Sequence, residues 1–357
     1  MKFRHQLNTH VKALIELKKT ERLWHFPLLA GICIGICLFF GWYFEKPAYG
    51  NIASMGALVI LYFTQAPLAK RMVHLCVCAF GFTLAFALGS VFSFNPYVSA
   101  VALGLIAFLA HLVTSYFDIP PPRNFFFIMI GAVAISLPFE VDEIPVRIGL
   151  VSMGAMVSVL LAFVYSVFIA KKNQVSNARL VQKKKRYTRI VESLILAFAM
   201  FLALLIAHFL KMENPYWIPI SALAIMQGKD LLHTQQRNLH RILGTFIGMG
   251  LTWAILILEP RGLALVFIIA GLQFLVELII VRNYGLAVIF ITPLTIFLAE
   301  TSAGINLNIN VLMEARILDT IIGSLIGLAG GWLLHHQILV SSLEKRIRGT
   351  KLKVKRY

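Results

Sequence analysis

An arginine and an aspartate, Arg316 and Asp319, stand inside an apolar stretch near the end of the sequence. A charge inside a bilayer costs roughly 2.5–3.5 kcal/mol even on a permissive insertion scale, so such charges usually have a function. Because the two residues are three apart, a helix carries them on one face. They could form a local salt bridge, or a binding site for an anion or a proton. An internal repeat aligns Leu150 with Asp319, and a requirement of the fold should appear in both copies, which favours the binding site.

A second pair of titratable side chains, His111 and Glu277, occupies equivalent positions in the predicted fourth membrane crossing of each half of the chain. In surroundings without water either side chain could take up and release a proton. A proton relay is one interpretation of this pair. A capped helix end is the other, since Glu277 lies five residues before Arg282. The sequence leaves both interpretations open.

Other chemistries lack the residues that they need. The segment Gly228-Lys229-Asp230 has neither the glycine spacing nor the hydroxyl of a phosphate-binding loop, so ATP-driven chemistry is not expected. The four cysteines lie in apolar stretches, without histidines at metal-ligand spacing, and are predicted to pack as small hydrophobic groups. No histidine pair, cysteine dyad or Ser/His/Asp arrangement stands at a common depth. We therefore predict that the protein is not an enzyme and that it has no cofactor or metal site.

The elements that must position these residues are membrane helices. Of the 357 residues, 59% are hydrophobic and 14% are charged, and the mean hydropathy is +0.80. Soluble domains contain about 45–50% apolar and about 25% charged residues. At roughly 20 residues per crossing, the apolar stretches accommodate about twelve crossings. The sequence therefore predicts an all-α polytopic membrane protein with about 12 transmembrane helices.

The predicted membrane topology explains where the basic residues that give the net charge of +17 are placed. With a cytoplasmic N-terminus, 28 of the 33 lysines and arginines fall on the cytoplasmic side, as the positive-inside rule requires. An even number of crossings returns the C-terminus to that side. Nucleic acid is therefore not predicted as a partner. Residues 1–26 mix basic and apolar residues and predict an amphipathic helix on anionic membrane lipids, before an uncleaved first crossing.

The sequence is an internal duplication, with two copies of a six-helix unit. The aligned pairs, in order along the chain, are Arg22 with Arg189, Tyr49 with Tyr216, Arg71 with Arg241, Arg123 with Arg282, Arg147 with Arg316 and Gly154 with Gly323. Because six crossings is an even number, both halves enter from the cytoplasm and are predicted to be parallel, direct repeats. The predicted boundaries are 1–26 for the amphipathic helix, 27–170 for the first repeat, 171–188 for a basic cytoplasmic connector, 189–340 for the second repeat and 341–357 for a basic cytoplasmic tail.

Short and proline-interrupted helices at matching positions predict a cavity between the halves near mid-membrane. The second crossings, residues 51–64 and 215–227, are short, and the fifth crossings carry Pro138 and Pro293. A proline frees a backbone carbonyl, which must find a partner in a neighbouring helix or line a wet cavity. The pairing of the prolines across the repeat favours the cavity, and Thr292 lies beside the second proline.

Small residues recur at every fourth position in Gly244-Thr245-Phe246-Ile247-Gly248 and in Gly323-Ser324-Leu325-Ile326-Gly327. Such faces allow close approach of helices. We therefore predict that they pack helices together.

Three runs of residues resemble a known family. They are Asn214-Pro215-Tyr216-Trp217, then Gln236-Arg237 followed by His240-Arg241-Ile242-Leu243-Gly244-Thr245-Phe246-Ile247-Gly248, and Arg316-Ile317-Leu318-Asp319-Thr320-Ile321-Ile322-Gly323. In this order they are similar to the helices of the fusaric acid resistance (FUSC) and aromatic acid exporter superfamily, in a short form without the large cytoplasmic domain. The resemblance implies export of aromatic or other organic carboxylates across the bacterial inner membrane, often beside a periplasmic adaptor protein.

We expect, on these grounds, a secondary transporter for proton-coupled export of small organic anions. The expected substrate-binding residues supply charge, aromatic surface and a hydroxyl: Arg241, Arg316, Tyr216, Trp217 and Thr292. The expected proton pathway consists of Asp319, Glu277 and His111. A passive organic-anion channel, and a non-transporting membrane scaffold of an envelope complex, stay open as alternatives. So does assembly into a homo-oligomer.

Overall fold

The computed structural model describes residues 17–20, 22–168, 186–303, 309–336, 338 and 340–342. Within these ranges the chain forms twelve α-helices and no strand. The helices are α1 (His25–Tyr43), α2 (Pro47–Ala57), α3 (Leu68–Val91), α4 (Pro96–Tyr116), α5 (Phe125–Ser136), α6 (Glu143–Phe168), α7 (Arg186–Phe209), α8 (Trp217–Met226), α9 (Leu231–Leu256), α10 (Leu263–Ile279), α11 (Tyr284–Ala303) and α12 (Ile309–His335). A 3-10 helix, Leu58–Tyr62, continues α2.

Seven described helices are long and apolar enough, by length and composition, to cross a membrane. They are α1, α3, α4, α6, α9, the segment Tyr187–Phe209 of α7 and the segment Met313–His335 of α12. Four shorter apolar helices accompany them: α5, α8, α10 and the segment Tyr284–Leu298 of α11. The predicted class, an all-α polytopic membrane protein, is confirmed.

In four turns that follow helices, a residue other than glycine adopts the left-handed backbone conformation, with a positive φ angle. Glu45 after α1, Asp118 after α4, Lys211 after α7 and Glu259 after α9 have φ angles between 42° and 56°. A left-handed residue just beyond a helix satisfies carbonyls of the last turn, and glycine usually takes this position. Here charged residues accept the strain, so each turn places a charge at a helix end.

The chain divides by its internal contacts into two compact units. Unit 1 comprises residues 1–83, 141–174 and 236–320, and unit 2 comprises residues 84–140, 175–235 and 321–357. Each unit therefore takes helices from both halves of the sequence. This division differs from the predicted domains, which separate the halves at residues 171–188; those domains describe the repeat and stay a prediction.

Unit 1 is held by close helix contacts. In it α1 packs against α10 and α2, α2 packs against α6, and α10 packs against α11. The α2–α6 contact is the tightest, because an ideal Cβ at Gly56 would lie 1.9 Å from the Val151 carbonyl oxygen. The predicted packing face on α9 is confirmed: a Cβ at Gly244 would lie 2.8 Å from the Gly285 carbonyl oxygen of α11.

Unit 2 is built around α4 and α7, with α5 against α4 and α8 against α7. Its core comprises fully buried residues such as Leu103, Met200 and Leu204. The predicted packing face on α12 is confirmed as well. A Cβ at Gly323 would lie 2.5 Å from the Ile218 carbonyl oxygen of α8, and one at Gly327 would lie 2.8 Å from the carbonyl oxygen of the next turn.

The segment before α1 departs from the predicted amphipathic helix. Residues 17–20, 22 and 23 are not helical, and α1 begins at His25. The backbone N–H of Lys18 donates instead to the Arg282 carbonyl oxygen at 3.1 Å, so this segment uses another element as its hydrogen-bond partner. The rest of the predicted N-terminal helix, most of the connector and most of the basic tail lie outside the described residues.

Candidate functional site

Arg316 of α12 reaches helix α11 inside unit 1. Its Nη2 donates a hydrogen bond to Thr295 Oγ1 at 3.2 Å, and that hydroxyl donates to the Thr292 carbonyl oxygen at 2.9 Å. The guanidinium is buried. The hydroxyl of Thr295 has one proton and gives it to the helix backbone, so it accepts from the arginine. The contact fixes one edge of the cation and orients Arg316 within the unit.

Asp319 lies one turn further along α12 and is 1% exposed. Its Oδ1 has no hydrogen-bond partner among the described residues. The neighbouring Thr320 is also buried, and its Oγ1 likewise has no partner among them. A buried polar atom without a partner is costly, so such atoms in native proteins usually have a functional reason or bind water or an ion. The carboxylate therefore retains acceptor capacity for a proton or a ligand.

Helix α11 contains Pro293 in its interior, in the same unit. A proline has no N–H, so the Ile289 carbonyl oxygen loses its helical partner. Gly248 of α9 lies against this region, since an ideal Cβ there would be 2.7 Å from the Ile289 oxygen. Thr292 is buried and donates its own hydroxyl proton to the Val288 carbonyl oxygen at 3.0 Å. Thr292 can thus accept a hydrogen bond from a ligand, but its proton is already used.

Helix α9 adds two arginines to unit 1. The Cζ atom of Arg237 lies 3.9 Å from the ring centroid of Tyr284, the first residue of α11. Arg241 follows one turn later and is buried. The structure therefore places Arg241, Arg316 and Asp319 in one unit, on helices α9 and α12. Three of the five predicted substrate residues, Arg241, Arg316 and Thr292, belong to unit 1.

Glu277 of α10 is paired with Arg22, a residue that precedes α1. The distance from Arg22 Nη2 to Glu277 Oε2 is 2.9 Å, and Arg22 Nη1 donates to the Glu277 carbonyl oxygen at 3.3 Å. The Arg22 guanidinium also lies 4.3 Å from the Phe26 ring centroid. The observed partner, Arg22, is 255 residues away from Glu277 in the chain. This pairing favours the structural interpretation of Glu277, and its role in a proton pathway stays a prediction.

His111 of α4 lies in unit 2, against α7. Its Nδ1 is 2.9 Å from Ser193 Oγ, and that hydroxyl donates to the Arg189 carbonyl oxygen at 2.8 Å. Since the serine proton is used, Nδ1 must carry the hydrogen of this contact. The three predicted proton-pathway residues are thus divided, with Glu277 and Asp319 in unit 1 and His111 in unit 2.

The predicted aromatic wall, Tyr216 and Trp217, also belongs to unit 2. The two ring centroids are 4.9 Å apart, and both side chains pack against the hydrophobic core of that unit. Within unit 2 they therefore stabilise the start of α8. Their contact with a substrate stays a prediction.

Sequence reasoning missed three tertiary contacts of unit 1. Thr295 holds Arg316, and Arg22 holds Glu277. Asn51 of α2 is buried and donates from Nδ2 to the Leu298 carbonyl oxygen of α11 at 2.6 Å. The only signal for Arg22 was its alignment with Arg189, and nothing in the sequence indicated a partner 255 residues away. Among the described residues, no three His, Cys, Asp or Glu side chains are grouped to hold a metal ion.

Residues 202–330 match the family described as fusaric acid resistance protein-like. This segment is therefore similar to that family. The resemblance predicted from the sequence is therefore confirmed over these residues. The fusaric acid resistance-like segment contains four candidate residues, namely Arg241, Thr292, Arg316 and Asp319.

The chain is also similar to the uncharacterized membrane protein YvaC of Bacillus subtilis strain 168, with 35% identity over 159 residues. The match covers 44% of this chain and 25% of that protein, so the chain spans about a quarter of the relative's length. No solved structure matches the chain. The fusaric acid resistance-like segment, this relative and the apolar helices agree that the protein is a multi-pass integral membrane protein.

Proposed function

We propose that this protein is a secondary transporter that exports small organic anions, aromatic carboxylates among them, in exchange for protons. The observation that carries the proposal is the pair of buried charges on α12. Arg316 offers a fixed cation to a carboxylate, and Asp319 keeps an oxygen with no partner among the described residues. A transporter must bias its inward and outward states differently when substrate or proton is bound. Asp319 and Arg316 meet that need, because a proton on the Asp319 carboxylate changes the attraction of the Arg316 guanidinium for an anion.

The proposed architecture is two parallel six-helix repeats with both termini in the cytoplasm. The order of helix lengths supports it: 19, 11, 24, 21, 12 and 26 residues for α1–α6, and 24, 10, 26, 17, 20 and 27 for α7–α12. In both halves the short second helix packs against the sixth through a glycine, Gly154 or Gly323. The first helix of each half packs against the fourth helix of the other.

The bacterial inner membrane is the proposed location, since the related YvaC is a bacterial membrane protein. Anionic lipids would attract the basic residues that the topology places in the cytoplasm. A periplasmic adaptor and a homo-oligomer are further proposed partners, suggested by the likeness to the exporter superfamily alone.

The test is uptake of labelled hydroxybenzoates into inverted vesicles, with and without a proton gradient. Wild type is compared with Asp319→Asn, which keeps the shape and removes the charge, and with Arg316→Gln. Arg147→Gln is the matched control, because Arg147 occupies the position of Arg316 in the first half and lies 3.9 Å from Glu143 in an ordinary i,i+4 pair. We expect gradient-driven uptake to be lost in the first two variants and kept in the control.

Two results would contradict proton-coupled export. Gradient-independent flux that survives Asp319→Asn would indicate a passive channel, which needs no titrating group. Absence of flux for every anion, in vesicles that contain folded protein, would favour the membrane scaffold. Equal loss of uptake in Arg316→Gln and in the control Arg147→Gln would show that both equivalent arginines are needed for folding, and would remove the argument for a site at Arg316.

A further inference from the structure

The end of α1 carries a run of exposed aromatic residues in unit 1. Each is 39% to 65% exposed, and the run comprises Phe39, Phe40, Trp42, Tyr43 and Phe44. The ring centroid of Phe39 lies 5.8 Å from that of Trp42 and 6.3 Å from that of Tyr43, so the rings contact one another. Large exposed apolar patches usually mark a contact with another protein or with a membrane. This surface therefore needs an occupant that accepts aromatic groups.

The end of α9 adds exposed apolar residues to the same end of unit 1. Trp253, Ile257 and Leu258, in the last turn of α9 and just after it, are 61%, 63% and 75% exposed. The turn that follows returns to α1, since an ideal Cβ at Gly262 would lie 3.1 Å from Trp42 Nε1. We call these eight exposed residues of the two helix ends the apolar rim: Phe39, Phe40, Trp42, Tyr43, Phe44, Trp253, Ile257 and Leu258.

Charged residues begin directly beyond the rim on both helices. Glu45 follows Phe44, and Glu259 follows Leu258. Glu259 Oε2 lies 3.2 Å from Arg261 Nη2, and the two side chains are 76% and 74% exposed. Charges that exposed are costly in hydrocarbon, so they must lie in water. The change from apolar to charged takes one residue on each helix, which places the edge of the rim at a boundary with water.

The opposite edge of the rim continues into an exposed apolar stripe along α1. Leu28 and Ile32, 42% and 43% exposed, share a helix face with Phe39. At the other end of the helix Trp24 is 64% exposed. At about 1.5 Å per helical residue, the 18 residues from Trp24 to Trp42 span about 27 Å, close to the roughly 30 Å of hydrocarbon in a bilayer. Tryptophan is enriched at both membrane–water interfaces, so this spacing is that of a pair of interfacial residues.

We propose that the apolar rim lies in the interfacial layer of the bilayer, between the lipid headgroups and the acyl chains, and anchors the ends of α1 and α9 there. Indole and phenol rings suit this layer because each has a flat apolar body and one polar atom. The stripe of α1 then faces acyl chains, and Glu45 and Glu259 reach water. With the predicted cytoplasmic N-terminus, the rim belongs to the outer leaflet. The anchor does not depend on transport.

The experiment measures quenching of tryptophan fluorescence in the full-length protein, reconstituted into phosphatidylcholine vesicles. The lipids carry bromine either near the headgroup end of the acyl chain or near its methyl end. In each variant one tryptophan is kept and the other four are replaced by phenylalanine. We expect shallow bromine to quench Trp42, and separately Trp253, about twofold more strongly than deep bromine.

The matched control is Ile32→Trp in a protein whose native tryptophans are all replaced by phenylalanine. Ile32 lies on the stripe near the middle of α1, so its variant should show the reverse order, with deep bromine the stronger quencher. Thermal unfolding shows which variants are folded. If multiple replacement prevents folding, the difference between wild type and Trp42→Phe isolates the signal of Trp42 in an otherwise native protein.

Three outcomes would overturn the proposal. Stronger quenching of Trp42 by deep bromine would place the rim in the hydrocarbon. Quenching by aqueous iodide but by neither lipid would place it in water, where a soluble partner could bind. Protection from all three quenchers would show that protein covers the rim, as in a homo-oligomer. None of these outcomes depends on flux, so the failure of the proposed transporter in the vesicle assay and the failure of this anchor are distinguishable.

Discussion

Replacing Gly154 by alanine tests whether α2 and α6 pack through direct backbone contact. An ideal Cβ at Gly154 would lie 1.8 Å from the Ala53 carbonyl oxygen, about 1.6 Å short of the 3.4 Å at which ordinary contact begins. The obstacle is the backbone of another helix, so no side-chain rotation relieves it. The two helices must move apart, which also opens the reciprocal contact of Gly56 with Val151.

The magnitude follows from these distances. Overpacking usually costs about 1–3 kcal/mol when neighbouring groups can adjust. Because backbone must move by more than 1 Å here, we expect about 3 kcal/mol or more. Alanine is preferred to glycine within a helix by about 1 kcal/mol, which offsets part of that cost. The net loss for Gly154→Ala should be about 2 kcal/mol or more.

The assay is thermal unfolding of purified full-length protein in detergent. Gly149→Ala, on the same helix, is the control, because nothing lies within 4 Å of a Cβ there, and it should leave the midpoint unchanged or raise it. Gly154→Ala should lower the midpoint by roughly 4 °C or more. Gly323→Ala, where the Cβ would lie 2.5 Å from backbone, should give a smaller loss. A Gly154→Ala protein as stable as Gly149→Ala would refute the close approach.

Two further predictions concern arginines of unit 1, and the same unfolding assay checks both. Arg22→Gln should destabilise the protein by about 2 kcal/mol and Glu277→Gln by about 1 kcal/mol. Removing Arg22 leaves the Glu277 carboxylate, whose side chain is 6% exposed, without its partner, whereas the side chain of Arg22 is 23% exposed and can reach water. The reverse order would contradict the pairing. Arg71→Lys should cost about 2 kcal/mol, since three nitrogens of Arg71 donate to two loop carbonyl oxygens and to Ser166 Oγ, and one ammonium cannot replace that fork. The exposed neighbour is the control, and Lys70→Arg should change nothing.

Much of the fold could be predicted from local properties of the chain. Apolar length predicted membrane helices, and the structure has twelve helices in its described residues. The short second helix α8 lies within the predicted residues 215–227, whereas α2 begins at Pro47, four residues before its predicted start, and is continued by a 3-10 helix to Tyr62. Glycine spacing predicted the packing faces on α9 and α12. Each of these features depends on neighbours within one helix turn or on the length of one helix, so the sequence determines it directly.

Part of the candidate site could be predicted in the same way. A charge in an apolar stretch is visible without a structure, and Arg316 and Asp319 were found by that rule alone. Their burial agrees with it. The rule identifies a residue that needs a partner, but it does not identify the partner.

Tertiary structure alone decided which side chains meet. It brought Thr295 to Arg316 and Arg22 to Glu277, and it assigned His111 to a different unit from Asp319. Hydropathy fixes that a helix crosses the membrane, but its rotation and its neighbours depend on packing against every surrounding helix. Asn124 and Asn283 illustrate the limit, because one motif gives a capped helix in one copy and a buried, half-satisfied amide in the other. The two copies share only Arg-Asn followed by an aromatic residue, Phe125 or Tyr284, so the outcome depends on more than this motif.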